Sequence, residues 1–228
     1  TLQGVYDRVP DKSEWGKYVD TSTLETCYNY AGIVLKSADS LTQDEIDACT
    51  ADLKAAIANL KYHTTAIALN KGTASIKVGK TDTLRAVLSP TGAGDEVTWS
   101  SSDKDVITVE KTSELEATVK VLKYSKTAVT VTATSNGLSA SCTIKTLNPL
   151  DGAQLSKNEI ELYQDETHTL KATAIGVDAS AAPTGDVFYT WSSDNTTVAA
   201  VSDEGVVTAI NPGTCNIYHH LVHTDPSS

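Results

Sequence analysis

Thr81-Asp-Thr-Leu84-Arg-Ala86, leading to Thr98-Trp99-Ser100-Ser101, is spelled a second time as Thr167-His-Thr-Leu170-Lys-Ala172, leading to Thr190-Trp191-Ser192-Ser193. Both copies keep the two motifs, and the later copy has the longer connection between them. The difference is therefore loop length, and the chain is a tandem repeat. Repeating a whole domain serves reach, spacing or multivalent display more readily than it serves bond-making chemistry. Around these motifs apolar residues recur with a period of two: Ile76 and Val78, Leu84 to Leu88, Val97 and Trp99, Val106 to Val109, Val129 to Ala133, then Cys142 and Ile144. The second copy follows with Ile160 and Leu162, Leu170 to Ala174, Phe188 to Trp191, Val198 to Val201, Val206 to Ile210 and Cys215 to Leu221. Short alternating runs punctuated by Gly, Ser and Asp predict two β-sandwiches of roughly 80 residues each.

Ahead of the repeat the period is helical. Leu24, Tyr28, Ala31, Leu35 and Ala38 form one apolar face, and Ile46, Cys49, Leu53, Ile57 and Leu60 form another. Ser22 with Glu25 and Thr42 with Glu45 each have the spacing of a capping box. A shorter helix from Leu2 to Arg8, stopped by Val9-Pro10, is expected to complete an antiparallel three-helix bundle. The predicted class is mainly β with an α-helical N-terminal module. Residues 1–63 form the bundle, 64–147 the first sandwich and 148–228 the second. The connections Thr64-Thr65 and Thr146-Leu-Asn-Pro149 are short, so the units should stack with little flexible linker.

Several function classes are disfavoured at once. Of 228 residues, 18 are Lys or Arg and 29 are Asp or Glu, for a net charge of −11 that repels nucleic acid and anionic membranes alike. No apolar run approaches the roughly 18 residues needed to cross a bilayer. The chain opens at Thr1 inside an expected helix and without a signal peptide, as an excised piece would. No nucleophile elbow, phosphate loop, metalloprotease helix or EF-hand loop occurs. Neither a catalytic residue, a cofactor nor a metal is assigned.

The remaining chemistry-bearing residues have structural explanations. Cys27, Cys49, Cys142 and Cys215 lack metal-ligand spacing. Cys27 and Cys49 are mismatched by about 6 Å along their helices at 1.5 Å per residue, so four free thiols are expected. His219 and His223 would share a metal only on a helix. On a strand they lie about 13 Å apart at 3.3 Å per residue, with His220 on the opposite face. Trp99 and Trp191 read as core aromatics, and Asp103 and Asp194 as turn holders. Asp44, Glu45 and Asp47 suit a helix first turn, and the sequon Asn195-Thr-Thr197 is given no modification. Trp15 and Tyr18, in the polar segment Asp11 to Tyr18, are the candidate ligand contacts as a sugar-stacking patch, against the alternative that Trp15 packs in the bundle.

Tyr18-Val-Asp-Thr-Ser-Thr-Leu24, Leu35-Lys-Ser-Ala-Asp39, Thr42-Gln-Asp-Glu-Ile-Asp-Ala48 and Leu53-Lys-Ala-Ala-Ile57-Ala-Asn-Leu60 resemble the FIVAR family over residues 1–61. Cys27 and Cys49 depart from its pattern. The resemblance implies a three-helix module of large bacterial surface or secreted proteins, for which matrix or sugar binding has been proposed. Leu84-Arg-Ala86, Val97-Thr-Trp99-Ser-Ser-Ser-Asp103, Val106-Ile-Thr-Val109, Val129-Thr-Val-Thr-Ala133 and Ala140-Ser-Cys142-Thr-Ile144 resemble the group 2 bacterial immunoglobulin-like domain. So do Thr190-Trp191-Ser-Ser-Asp194, Gly205-Val-Val-Thr-Ala209 and Asn211-Pro-Gly213-Thr. That resemblance implies a non-catalytic extracellular or cell-surface spacer and adhesion module, associated with carbohydrate, as part of a larger polypeptide. The expected partner is a host or matrix protein or a glycan, with no nucleic acid and no membrane insertion. Two alternatives stay open: a phage virion protein contacting host glycans, and an accessory module of a glycoside hydrolase. The second copy stops at Thr224-Asp-Pro-Ser-Ser228 where the first returns as Leu138 to Lys145. Its last strand is therefore expected to be missing, through truncation or because a partner donates it.

Overall fold

The computed structural model describes residues 1–224, so the expectations placed on Asp225 to Ser228 lie outside the described residues. The helices are α1 (Leu2–Tyr6), α2 (Ser22–Lys36) and α3 (Gln43–Ala58), each in contact with the other two. α3 carries the expected capping box: Thr42 Oγ1 accepts the Glu45 N–H, and the Glu45 carboxylate accepts the Thr42 N–H at 2.8 Å. At α2 the box does not form. Its N-cap is Thr21 without a side-chain bond, and the Ser22 N–H donates instead to Asp20 Oδ1 at 2.8 Å. α2 also stops at Lys36, with a 3₁₀ turn at Ala38–Ser40, and α3 stops short of Leu60. Leu24, Ala31 and Val34 from α2 and Cys49, Leu53 and Ala56 from α3 close over Leu2, Val5 and Trp15 as one core.

The strands of the first sandwich are β1 (Ala66–Leu69), β2 (Thr73–Lys77), β3 (Thr81–Ser89), β4 (Thr98–Ser101), β5 (Ile107–Lys111), β6 (Glu116–Val121), β7 (Val129–Ser135) and β8 (Leu138–Leu147). They form two sheets, β1-β3-β6-β5 and β2-β8-β7-β4, in which β2 runs parallel to β8. Alternation is strict in β7, where Val129, Val131, Ala133 and Ser135 point inward and Thr130, Thr132 and Thr134 outward. Leu84, Ile107, Val119, Val121, Val131, Cys142 and Ile144 are sealed between the sheets. β1 and β6 are strands that the period-two reading did not register.

The second copy repeats this plan more loosely. Its strands are β9 (Leu150–Leu155), β10 (Thr167–Thr169), β11 (Ala172–Gly176), β12 (Asp186–Ser193), β13 (Ala199–Val201), β14 (Val206–Ala209) and β15 (Ile217–Thr224). The continuous β3 is here split into β10 and β11. β9 occupies the position of β1, and Ile160 and Leu162, expected in a strand, lie in irregular chain while still packing on the core. The sheets are β10-β14-β13, β11-β9 and β12-β15. Trp191 pairs with His219 in the register that joins Trp99 to Ala133, so β12 and β15 correspond to β4 and β7.

The Gly205-Val-Val motif has a steric origin. Gly205 has φ +81, and a Cβ there would lie 2.6 Å from the Leu170 carbonyl oxygen and 2.9 Å from the Trp191 ring. Gly205→Ala therefore meets both backbone strain and a clash. It should destabilise the second sandwich by about 2–4 kcal/mol, measured by denaturant unfolding followed through Trp191 fluorescence.

Candidate functional site

The structure separates the two candidate ligand contacts. Trp15 is 9% exposed, its indole N–H donates to the Pro10 carbonyl at 2.9 Å, and its ring meets Tyr28 edge-on at 5.9 Å. It is a core residue of the bundle. Tyr18 instead lies against Tyr62, with ring centroids 4.7 Å apart and hydroxyls 3.4 Å apart. Its hydroxyl pKa is pushed up to about 12, first by the hydrogen bond to Tyr62 and then by burial. Tyr62 is 47% exposed, so the aromatic surface is a Tyr18–Tyr62 pair rather than Trp15 with Tyr18.

That pair borders the seam between the bundle and the first sandwich. The Val19 N–H donates to the Lys61 carbonyl and the His63 N–H to the Lys17 carbonyl, which fixes the exit strand on the bundle. The Gly94 N–H then donates to the Tyr62 carbonyl at 3.0 Å. Asp95 Oδ2 accepts the Thr64 N–H, and Oδ1 lies 2.7 Å from His63 Nδ1. Thr64, 2% exposed, bonds Ser135 through its hydroxyl at 3.1 Å, and its carbonyl accepts from Asn136 Nδ2 at 3.0 Å. Burial pushes the Asp95 carboxyl up, but the Thr64 N–H and His63 outweigh it and hold it below the usual carboxylate value.

The seam between the sandwiches is built around Asn148, which is fully buried. Its Oδ1 accepts the Asp178 N–H at 2.9 Å, and its Nδ2 faces the carbonyls of Asp178, Ala181 and Ala182 at 3.0, 3.1 and 3.2 Å. Its main chain exchanges bonds with Thr184: the Asn148 N–H donates to Thr184 Oγ1, and the Thr184 N–H donates to the Asn148 carbonyl. Gly176 leaves room for this amide, since a Cβ there would sit 2.2 Å from Asn148 Nδ2. Asp178 reaches back across the seam and accepts the Tyr124 N–H at 2.8 Å. Its carboxyl is held low, first by the Ser180 hydroxyl and then by the backbone amides. Sequence reasoning marked both linkers as short. It missed Asp95, Asn148 and Asp178, whose partners across the seams lie 30 to 54 residues away in the chain.

The other candidates separate cleanly. His219 lies 5.8 Å from Trp191, His220 is exposed on the opposite face, and His223 Nε2 is 2.8 Å from the Thr184 carbonyl. Among the described residues no three His, Cys, Asp or Glu converge as metal ligands. All four cysteines are free thiols, and burial raises the pKa of Cys49 and Cys142. Trp99 packs on the first sandwich core, and Trp191 packs on the second. Asp103 holds its turn by accepting the Asp105 N–H at 3.0 Å. In the second copy Asn195 does this for Thr197, whereas Asp194 departs from the expectation and clamps Asn216 through both carboxylate oxygens at 2.8 Å.

Comparison with known proteins agrees with this architecture. The family model of the bacterial Ig-like domain (group 2) matches residues 63–144 and 150–219. An uncharacterized protein of Clostridium acetobutylicum is 32% identical over 173 residues, 68% of this chain and 17% of that protein. The lacto-N-biosidase of Bifidobacterium bifidum is 44% identical over 74 residues, 32% of this chain and 6% of that protein. The chain thus spans less than a fifth of either relative. Among solved structures, domains 5–6 of the S-layer protein SbsC align at TM-score 0.33 and 16% identity, covering 70% of this chain and 96% of that one.

Two outcomes follow from the seams. Asn148→Ala leaves the Asp178 N–H and its facing carbonyls without partners, and should cost about 3 kcal/mol in the second sandwich by denaturant titration. Asp95 has a folded pKa below its ordinary value of 3.8. Its contribution is therefore fully present above about pH 4 and is lost as pH falls through the folded value. Acid titration of stability should show this loss in the native chain and not in Asp95→Asn.

Proposed function

The chain belongs to the group 2 bacterial immunoglobulin-like domain family, and on that premise we propose that it is a non-catalytic spacer and adhesion module of a larger bacterial surface or secreted protein. We assign the units to residues 1–63, 64–147 and 148–228, the first of them a FIVAR-type module. The observation that carries this reading is the pair of buried polar seams. A chain selected for free display on flexible tethers has no need of fully buried linker residues such as Asn148 and Thr64. Sealed seams fix the spacing between units and so project whatever lies beyond them at a set distance.

A carbohydrate association is supported by Tyr62, exposed beside the half-buried Tyr18 on which it packs, since the outward face of an aromatic ring suits the apolar edge of a pyranose. The 74-residue match to a lacto-N-biosidase favours the accessory role in a glycoside hydrolase as the second reading. In either case the partner would be a glycan or a matrix protein outside the cell.

Small-angle scattering tests the spacer role. The native chain should give one narrow distribution of maximum dimension, and Asn148→Ala a broader one. A broad distribution for the native chain would end the spacer reading. For the sugar contact, Tyr62→Ala should lower binding on a glycan microarray at least about tenfold, a change of roughly 1.4 kcal/mol. An unchanged array would remove the carbohydrate role.

A further inference from the structure

A cleft of about 720 Å³ borders Tyr62 at the seam between the bundle and the first sandwich. That size falls within the roughly 300–1,000 Å³ of small-ligand sites. Lys61 lines it from the bundle, and the segments 91–96 and 111–115 line it from the sandwich, so all of its walls come from residues 61–115. Gly94 brings the first of those segments against the bundle. Its N–H donates to the Tyr62 carbonyl, and a Cβ there would lie 2.6 Å from Lys61 Cβ.

One wall is the far end of β3, where that strand outruns its partner. β6 pairs with β3 only from Thr81 to Arg85. The Arg85 carbonyl accepts the Asn70 N–H, so Arg85 turns its main-chain groups toward β1. Ala86 turns the other way and donates to the Leu115 carbonyl at 2.7 Å. Leu88, two residues on, therefore presents its N–H and its carbonyl to the cleft, past the last residue that β6 supplies. The next residue of that phase is Pro90, which has no N–H to offer. Among the described residues, one donor and one acceptor on a single residue thus stand open here. That edge is too short for a strand to add to, but it complements two adjacent hydroxyls, one accepting and the other donating.

The side chains around this edge balance in charge. Lys61, Arg85 and Lys111 share the lining with Asp95, Glu96 and Glu114, and Lys111 bonds Glu96 at 3.0 Å. Equal numbers give no net attraction for a carboxylated or sulfated ligand, whereas donors beside acceptors suit hydroxyl groups, which do both.

We propose that the cleft binds a neutral oligosaccharide, one of whose rings sets a vicinal pair of hydroxyls on the Leu88 main chain while the adjoining ring lies on Tyr62. The inference rests on the Tyr62 glycan contact proposed above and gives that site its ligand class. Val87 and Leu115, which also line the cleft, meet the C–H face of the sugar.

A glycan microarray probed with the full chain in native, Thr91→Trp and Tyr62→Ala forms tests this. Thr91 lines the cleft and is exposed, so an indole there closes the cleft at little cost to folding, which the unfolding temperature checks. Neutral glycans should give the strongest signals, and Thr91→Trp should lower them at least about tenfold. With the strongest of them in solution, the Leu88 amide resonance should shift, and affinity should change less than about twofold between about 50 and 500 mM salt, since no ion pair is screened. Binding that requires a carboxylate or sulfate group, an unmoved Leu88 amide, or a blocked tetra-alanine peptide that shifts this amide as far would each overturn the proposal. Signals kept by Thr91→Trp but lost by Tyr62→Ala would overturn it and leave the Tyr62 contact standing. The reverse pattern would support the cleft and overturn the Tyr62 contact, and an array without signal would overturn both.

Discussion

Polar groups carried into a seam between two folded units must find partners there, because water can no longer supply them. Both seams of this chain obey that constraint through a few side chains, with Asp95 central to one and Asn148 to the other. Asn148 meets a ring of main-chain groups from the second sandwich, while Asp95 accepts from the main chain that leaves the bundle. Their effect comes from directionality: an amide satisfied on both its oxygen and its nitrogen fits one orientation of the neighbouring loop, and an apolar contact of the same size would tolerate many. The relative placement of the units is thus constrained by hydrogen-bond geometry.

The same chemistry explains the asymmetry between the two copies. The first sandwich has two four-stranded sheets and a continuous core of fully buried Val, Leu and Ile. Among the described residues the second has three small sheets, a split β10/β11 and three buried core residues with half-buried neighbours. The repeated motifs are the parts that both must keep: the Trp of β4 and β12, and the turn acceptor four residues after each Trp, Asp103 in one and Asn195 in the other. The longer connection after β11 carries Asp178 to Thr184, the segment that receives Asn148. The sequence drift between copies is therefore where the second seam was built.

Periodicity made most of the elements legible. The Thr42 and Glu45 box, the α3 face and the alternation of β4, β7, β8 and β12 need only neighbours in sequence, and local chemistry decides them. What escaped was non-local. Ser22 and Glu25 have capping-box spacing, yet Asp20 reaches the Ser22 amide first. Trp15 sits in a polar segment but is pulled under Tyr28 by the fold of the bundle. Asn148-Pro149 reads as an ordinary turn signal, and nothing adjacent announces that its amide will be enclosed by residues 178–184. β6 carries Ala117, Val119 and Val121 on its inner face, but charged Glu116 ahead of them and Lys120 among them masked the strand.

The parallel pairing of β2 with β8 has a mechanical side. Tension applied to the first sandwich through its neighbours enters at β1 and leaves at the end of β8. Once β1 is drawn taut, β2 and β8 are pulled lengthwise past each other. Ladder bonds running from Thr73–Thr143 to Lys77–Leu147 then bear the load together, in shear, and cannot be opened one after another from an end. A domain wired in this way yields abruptly instead of stretching gradually, because its weakest direction is never the one that is loaded.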